Sequence, residues 1–312
     1  MNPVLLTGAT GFIGQRLQKA LIADKIDVAA VVRPESKNVN SLHDGVSRVL
    51  ADLADFDLLV PALSKASAVI YCAGTVRGRS LDDFRGANID GVRSVVDAMN
   101  QAATEIPLLL ISSLAASRPQ VSDYAHSKYL GEQEVEKHAT FPWTIFRPPA
   151  VYGPGDKEML PVLKLARRGW VAPPGPHDQR LSLIHVDDLA SAVLAWLKSW
   201  QMCERLICTL DDGHSGGYDW QEIAKSANPG KCRRVNIPGW IVFGAGYINL
   251  AMSRLLGYAP MMTPGKAREL TQADWVCNNR ALNKASGWSP EIDLEKGINS
   301  LFESPGDRQS KT

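Results

Sequence analysis

The residues best placed to do chemistry are Tyr124 and Lys128, a Tyr-x-x-x-Lys pair within the helical stretch 123–138. Four-residue spacing puts both side chains on one helix face. A phenol with a pKa of about 10 is a poor base at neutral pH. A nearby ammonium favours the phenolate and makes proton exchange with a substrate feasible. The pair follows a strand-like run, residues 108–111, whose end carries Ser112-Ser113. A serine hydroxyl there could hold a substrate oxygen beside Tyr124. The pattern is common by chance, and its position after that strand gives it weight.

A second stretch, Thr7-Gly8-Ala9-Thr10-Gly11-Phe12-Ile13-Gly14, follows the apolar Val4-Leu5-Leu6 and opens a helix. One glycine makes the tight turn, one lets backbone approach a pyrophosphate, and one lets helix pack on strand. The helix N-terminus offers N–H groups and a positive dipole end to the phosphates. Strand, glycines and helix in that order predict a dinucleotide held by Gly8, Thr10, Gly11, Phe12, Ile13 and Gly14. After the second strand stands Val31-Val32-Arg33-Pro34. An acidic residue there would bind the ribose hydroxyls of NAD. Arg33 instead suits the 2′-phosphate of NADP, with Lys37 as a second contact, and NAD stays the alternative. Asp52 and Leu53 follow the third strand. Asp52 either reaches the adenine amino group or caps the helix that begins near Asp55.

These residues need elements to position them. Runs 4–6, 28–32, 49–50, 68–72, 108–111 and 144–146 read as buried strands. Helical stretches at 12–24, 55–65, 81–103 and 123–138 lie between them, the first with Ile13, Leu17 and Leu21 on one face. Such alternation predicts an α/β fold, a doubly wound parallel sheet of the Rossmann kind. Residues 1–150 would form the dinucleotide-binding domain. A return segment near 181–205 would add a strand over Leu181–His185 and a helix from about Asp187. Residues 151–180 and 206–303, rich in Pro and Gly turns, would build a smaller substrate lobe. The polar end, 304–312, reads as disordered.

Composition narrows the partners. Of 312 residues 45% are hydrophobic and 21% charged, with a net charge of +1, which is ordinary for a soluble protein. That balance gives no electrostatic reason to expect nucleic acid or an anionic membrane. Cys72, Cys203, Cys208, Cys232 and Cys277 form no Cys-x-x-Cys pair and no zinc-spaced cluster, so reduced thiols in a cytoplasmic protein and no metal are expected. No basic-then-apolar leader precedes the glycine motif. The stretch 237–253 is uncharged up to Arg254 but holds Pro238, Gly239, Gly244, Gly246 and Asn249. It reads as an apolar lid, pocket wall or packing helix rather than a membrane span.

The glycine pattern, Leu110-Ile111-Ser112-Ser113, Tyr124-Ala125-His126-Ser127-Lys128, Arg147-Pro148-Pro149-Ala150-Val151-Tyr152-Gly153-Pro154 and Ile184-His185-Val186-Asp187-Asp188 occur in this order and spacing. Together with Asn279-Arg280-Ala281-Leu282 and Gly287-Trp288-Ser289-Pro290 they resemble the extended short-chain dehydrogenase/reductases, the NAD-dependent epimerase/dehydratase family. The resemblance covers nearly the whole chain and is far more specific for fold than for substrate. It implies Tyr124 as acid/base and Lys128 as the residue that lowers its pKa and holds the nicotinamide ribose. It implies Ser113 as the catalytic serine, with Ser112 as fallback. Ala73, Gly74, Asn88 and Pro148 fall where that family lines the cofactor cleft, although Asn88 equally suits a helix cap or kink. His185 and Arg180 read as structural and surface residues.

Only ten residues separate Ser113 from Tyr124, fewer than in sugar-nucleotide epimerases. With Arg33, this looks more like the dihydroflavonol reductase and 3β-hydroxysteroid dehydrogenase side of the family. The expectation is NADP-linked hydride transfer at a carbonyl or carbinol carbon of a small, lipophilic substrate. The alternatives are a nucleotide-sugar epimerase or dehydratase with retained NAD, and a non-catalytic dinucleotide-binding sensor or assembly protein. A homodimer through the helices near 81–103 and 123–138 is implied by the resemblance alone.

Overall fold

The computed structural model describes residues 2–36, 41–102, 105–230 and 232–302. Six strands follow the apolar runs: β1 (Val4–Thr7), β2 (Val28–Val32), β3 (Ser47–Leu50), β4 (Ala68–Tyr71), β5 (Leu108–Ile111) and β6 (Trp143–Arg147). With Leu206–Thr209 they make one seven-stranded parallel sheet, in the order Leu206–Thr209, β6, β5, β4, β1, β2, β3. In β1 the side chains alternate between two cores. Val4 and Leu6 join one buried cluster and Leu5 the other. Both faces are covered, so the strand is apolar throughout instead of alternating.

The helices between these six strands are α1 (Phe12–Ala23), α2 (Phe56–Leu63), α3 (Leu81–Arg85), α4 (Gly91–Gln101) and α5 (Asp123–His138). In α1, Leu17 and Leu21 are buried and Ile13 packs against the same cluster. The long helix expected over 81–103 is interrupted. Residues Gly86–Asp90 form a π turn between α3 and α4. Close packing accompanies the break, since a side chain on Gly131 of α5 would meet the Asn88 carbonyl oxygen at 2.1 Å.

Two expectations need correction. The strand over Leu181–His185 does not return to the main sheet. Leu183–His185 pairs with Ala150–Tyr152, and Arg180–Leu181 pairs with Asp274–Trp275. The open edge of β6 is taken by Leu206–Thr209, part of the stretch expected in the smaller lobe. The helix of the return segment, Val186–Ser199, does join the main core, where Trp196 is fully buried. A third buried cluster, including Tyr152, Leu163, Trp220 and Ile298, lies apart from the sheet. Lys37 and the tail 304–312 lie outside the described residues. Among the described residues, no helix is long and apolar enough to cross a membrane.

Candidate active site

Strand order reverses at β1, which has β2 on one side and β4 on the other. Ligands of open parallel sheets bind in the crevice at such a switch point, beyond the carboxyl ends of the strands. Thr7 lies level with Val31 and Tyr71, so the turn after β1, Arg33 after β2 and Cys72-Ala73 after β4 emerge at one edge. The Thr7 hydroxyl accepts hydrogen bonds from the Cys72 and Ala73 amides, both at 3.1 Å, and ties these strand ends together.

Gly8 has φ +66°, and a Cβ there would lie 2.6 Å from the Ala73 nitrogen. Gly14 sits under the turn, where a Cβ would meet the Gly8 oxygen at 2.1 Å. Gly11 differs. Its nearest such neighbour is the Gly8 oxygen at 3.3 Å, and no side chain caps the helix it opens. Two glycines therefore make the turn and the packing, while the third leaves room beside an uncapped helix N-terminus. That arrangement fits a pyrophosphate. Arg33 is exposed. Asp52 is exposed too, and its carboxylate accepts from the Ala54 amide at 3.1 Å in a turn ahead of α2. Leu53 is partly buried against the core.

Ser112 and Ser113 have different surroundings. The Ser112 hydroxyl donates to Glu132, which also holds Arg147 with Nε at 2.9 Å from Oε1. Ser113 caps the short 3₁₀ turn Leu114–Ser117, accepting from the Ala115 amide at 3.2 Å. Burial pushes the pKa of the Tyr124 phenol up, and the nearby Ser113 side chain pulls it part of the way back. Phe84 of α3 meets the Tyr124 ring edge-on at 6.0 Å. Lys128 lies one turn along α5, buried, with Nζ donating to the Ile111 carbonyl at 2.9 Å. Burial lowers its pKa to about 8.

Asn88, in the π turn, donates to the Thr75 carbonyl at 3.0 Å and to the Ser127 hydroxyl at 2.9 Å, and accepts from the Thr75 amide. It fastens the loop after β4 to α5. Gly74 lies against it, since a Cβ there would stand 3.2 Å from its Oδ1 and 3.8 Å from Lys128 Nζ. Pro148 is buried and its carbonyl accepts from the Leu114 amide. His185 is buried and caps the helix Val186–Ser199 through Nδ1. Arg180 is occupied with the Gly216 and Gly217 carbonyls and Glu222.

A cavity of about 800 Å³ runs from Phe12 and Ile13 past Ser113 and Tyr124 to Trp220, Met261 and Met262. Phe12 and Ile13 beside the glycine turn share its lining with Ser113 and Tyr124, and most of its walls are apolar. Three contributors lay beyond sequence reasoning. Thr7 opens the glycine stretch, but neither its type nor its place there announces that it ties two strand ends together. Lys266 and Glu269 line the cavity, pair at 2.7 Å, and act electrostatically on Tyr124. Their helix, Pro264–Leu270, is brought to α5 only by tertiary packing, with Ser122 donating to Glu269. Among the described residues, no group of three or more His, Cys, Asp or Glu could hold a metal ion.

A Rossmann sheet with a glycine-lined turn and a Ser-Tyr-Lys group defines a class, the NAD(P)-dependent oxidoreductases of the extended short-chain dehydrogenase/reductase type. The chain belongs to the NAD dependent epimerase/dehydratase family, whose model matches residues 4–202. It is similar to the ceramide reductase of Caulobacter vibrioides, at 35% identity over 276 residues, 88% of this chain and 85% of that one. It is also similar to the decarboxylating sterol-4-alpha-carboxylate 3-dehydrogenase of Saccharomyces cerevisiae, at 23% identity and 96% of each chain. Among solved structures, the UDP-glucose 4-epimerase of Thermotoga maritima, determined with UDP-glucose, shares the fold. Its TM-score is 0.72 at 17% identity, covering 99% of this chain and 100% of that one.

Proposed function

We propose that the protein is an NADP-linked reductase of a lipophilic carbonyl compound, of the lipid class that the name ceramide reductase denotes. One observation carries the reading: Ser113 and Tyr124 line a cavity whose walls are mostly apolar. A bound nicotinamide dinucleotide supplies the hydride for such chemistry. The chain's own groups do the rest. Gly8, Thr10, Gly11, Phe12, Ile13 and Gly14 hold the pyrophosphate; Asp52 and Leu53 flank the adenine. Ala73, Gly74 and Pro148 line the cleft, and Asn88 keeps the loop after β4 in place. Ser113 donates to the substrate oxygen and aligns it with Tyr124. Tyr124 gives its proton to that oxygen as negative charge develops there, and Lys128 stabilises the phenolate left behind.

Residues 1–150 are the proposed dinucleotide-binding domain, and 151–180 with 206–303 the proposed substrate lobe, except for Leu206–Thr209 in the main sheet. A homodimer through α4 and α5 remains part of the proposal. The test is NADPH oxidation with a panel of long-chain ketones. Turnover that rises with chain length supports the reading. Copurified NAD together with binding of a uridine diphosphate sugar would replace it with epimerisation or dehydration. Dinucleotide binding without turnover of any substrate would favour a sensor or assembly role.

Cofactor choice is tested at Arg33. Charge-assisted hydrogen bonds contribute about 1.5–3 kcal/mol, so Arg33→Ala should weaken NADPH roughly tenfold to a hundredfold. NADH, which lacks the extra phosphate, should change little. Equal losses by isothermal titration would remove the NADP assignment.

A further inference from the structure

The helix Gly239–Leu256 carries an exposed face without charge. Leu255 is 86% exposed, Trp240 76%, Leu256 68%, Ile248 64% and Tyr247 62%. At about 3.6 residues per turn these side chains share one broad arc, opposite the buried Val242, Gly246 and Ser253. Ala245 and Ala251 continue the arc, and Arg254 stands at its edge. A water-facing helix carries its charges on the outside. This one is inverted.

The inner side is firmly attached. A Cβ on Gly246 would lie 2.8 Å from the Thr263 carbonyl carbon, so the helix sits directly on the segment after it. Asn249 donates to the Met262 carbonyl at 2.8 Å and accepts from the Tyr258 hydroxyl. Leu250, Pro260, Met261 and Met262 line the cavity that reaches Tyr124. The outer face of the helix and the wall of the cavity are thus two sides of one packed unit.

Charge identifies the partner. Residues 223–268 contain seven Lys or Arg and no Asp or Glu, although the whole chain is nearly neutral at +1. The even balance of the complete sequence conceals this segregation. Lys225, Arg233 and Arg254 are exposed. Lys266 is held by Glu269 just past this stretch, and Arg254 stands on the helix itself. An apolar stripe with aromatic side chains, flanked in sequence by basic residues, is the pattern of a helix lying in a bilayer interface, where about 1 kcal/mol accrues per Lys or Arg near an anionic surface. A second copy of this chain fits less well, because a two-fold contact would bring each basic segment against itself.

We propose that the helix Gly239–Leu256 docks in the plane of an anionic phospholipid bilayer, with the residues after it opening the cavity toward the lipid. Docking does not depend on the proposed reaction and is measured without turnover. The full chain is sedimented with vesicles of phosphatidylglycerol and phosphatidylcholine, and with phosphatidylcholine alone. Binding to the anionic vesicles should be at least about tenfold stronger. The double variant Trp240→Glu, Leu255→Glu should lose about tenfold or more of it, with its thermal unfolding midpoint unchanged. Should that variant fail to fold, Arg233→Gln, Arg254→Gln leaves the apolar face intact and should lower binding to anionic vesicles toward the neutral-vesicle level. Equal sedimentation of wild type and the folded double variant with both vesicle types would overturn the proposal. So would a dimer by light scattering that the double variant converts to monomer while vesicle binding stays unchanged.

Discussion

Tyr124→Phe is expected to bind NADPH as the wild type does and to lose about a hundredfold to ten-thousandfold in kcat, the usual contribution of general acid catalysis. The substitution removes one oxygen. The ring keeps its edge-on contact with Phe84, and the charge of Lys128 stays on α5. What disappears is the hydroxyl proposed to donate the proton, on a ring that lines the cavity beside Ser113. NADPH oxidation gives the rate, and isothermal titration shows that binding is unaltered. Unchanged turnover would remove Tyr124 from the mechanism.

The pH profile tests the same group. Lys128, with its pKa lowered to about 8, loses its charge as pH rises through that value. In the proposed mechanism the phenolate left by proton donation then lacks the Lys128 charge, so the wild-type reduction rate should fall above about pH 8. The stability contribution of Lys128 runs the other way. Its folded pKa is below its unfolded one, so burying the ammonium costs most below pH 8, and the cost fades as pH rises toward the usual lysine value of 10.5. Activity lost on that limb is therefore not explained by Lys128-driven unfolding. Residual turnover in Tyr124→Phe should lack the limb.

Gly14→Ala is the second substitution with a large expected effect. Alanine in a helix is favoured over glycine by roughly 0.5–1 kcal/mol. Here the new Cβ would stand 2.1 Å from the Gly8 oxygen and within 2.9 Å of two Ala9 backbone atoms. No side-chain rotation relieves contacts with backbone, so α1 must lift from the turn. Overpacking of this kind costs about 1–3 kcal/mol, and the upper end outweighs the helix gain. The net expectation is a loss of about 2 kcal/mol in chemical denaturation, together with NADPH binding weakened at least about tenfold because the turn moves. Gly244→Ala is the control, since a Cβ there meets nothing within 4 Å. It should be neutral or slightly stabilising. Equal stability of both variants would show that the turn yields more easily than its contacts imply.

Local signals carried much of this fold. Val4-Leu5-Leu6 and the runs after it became parallel strands because a strand buried on both faces is apolar throughout. Tyr124 and Lys128 fell on one helix because their spacing matches its period. Serine choice was less accessible. Ser112 and Ser113 are adjacent and chemically alike, and only the network of Glu132 and Arg147 engages one while the other faces Tyr124. The last strand of the sheet was misjudged because Leu183–His185 and Leu206–Thr209 are both short and apolar, and pairing partners are decided across the sheet.

By itself the sequence determined the sheet's first six strands, the glycine turn and the Tyr-Lys pair, since each depends on residue type and spacing within a short window. Tertiary structure alone decided the rest. It brought Lys266 and Glu269 to Tyr124 across more than a hundred residues of chain. It turned the apolar side chains of Gly239–Leu256 outward instead of into a core. Hydropathy reports that a side chain leaves water readily. Which surface receives it depends on what the fold has already placed beside it.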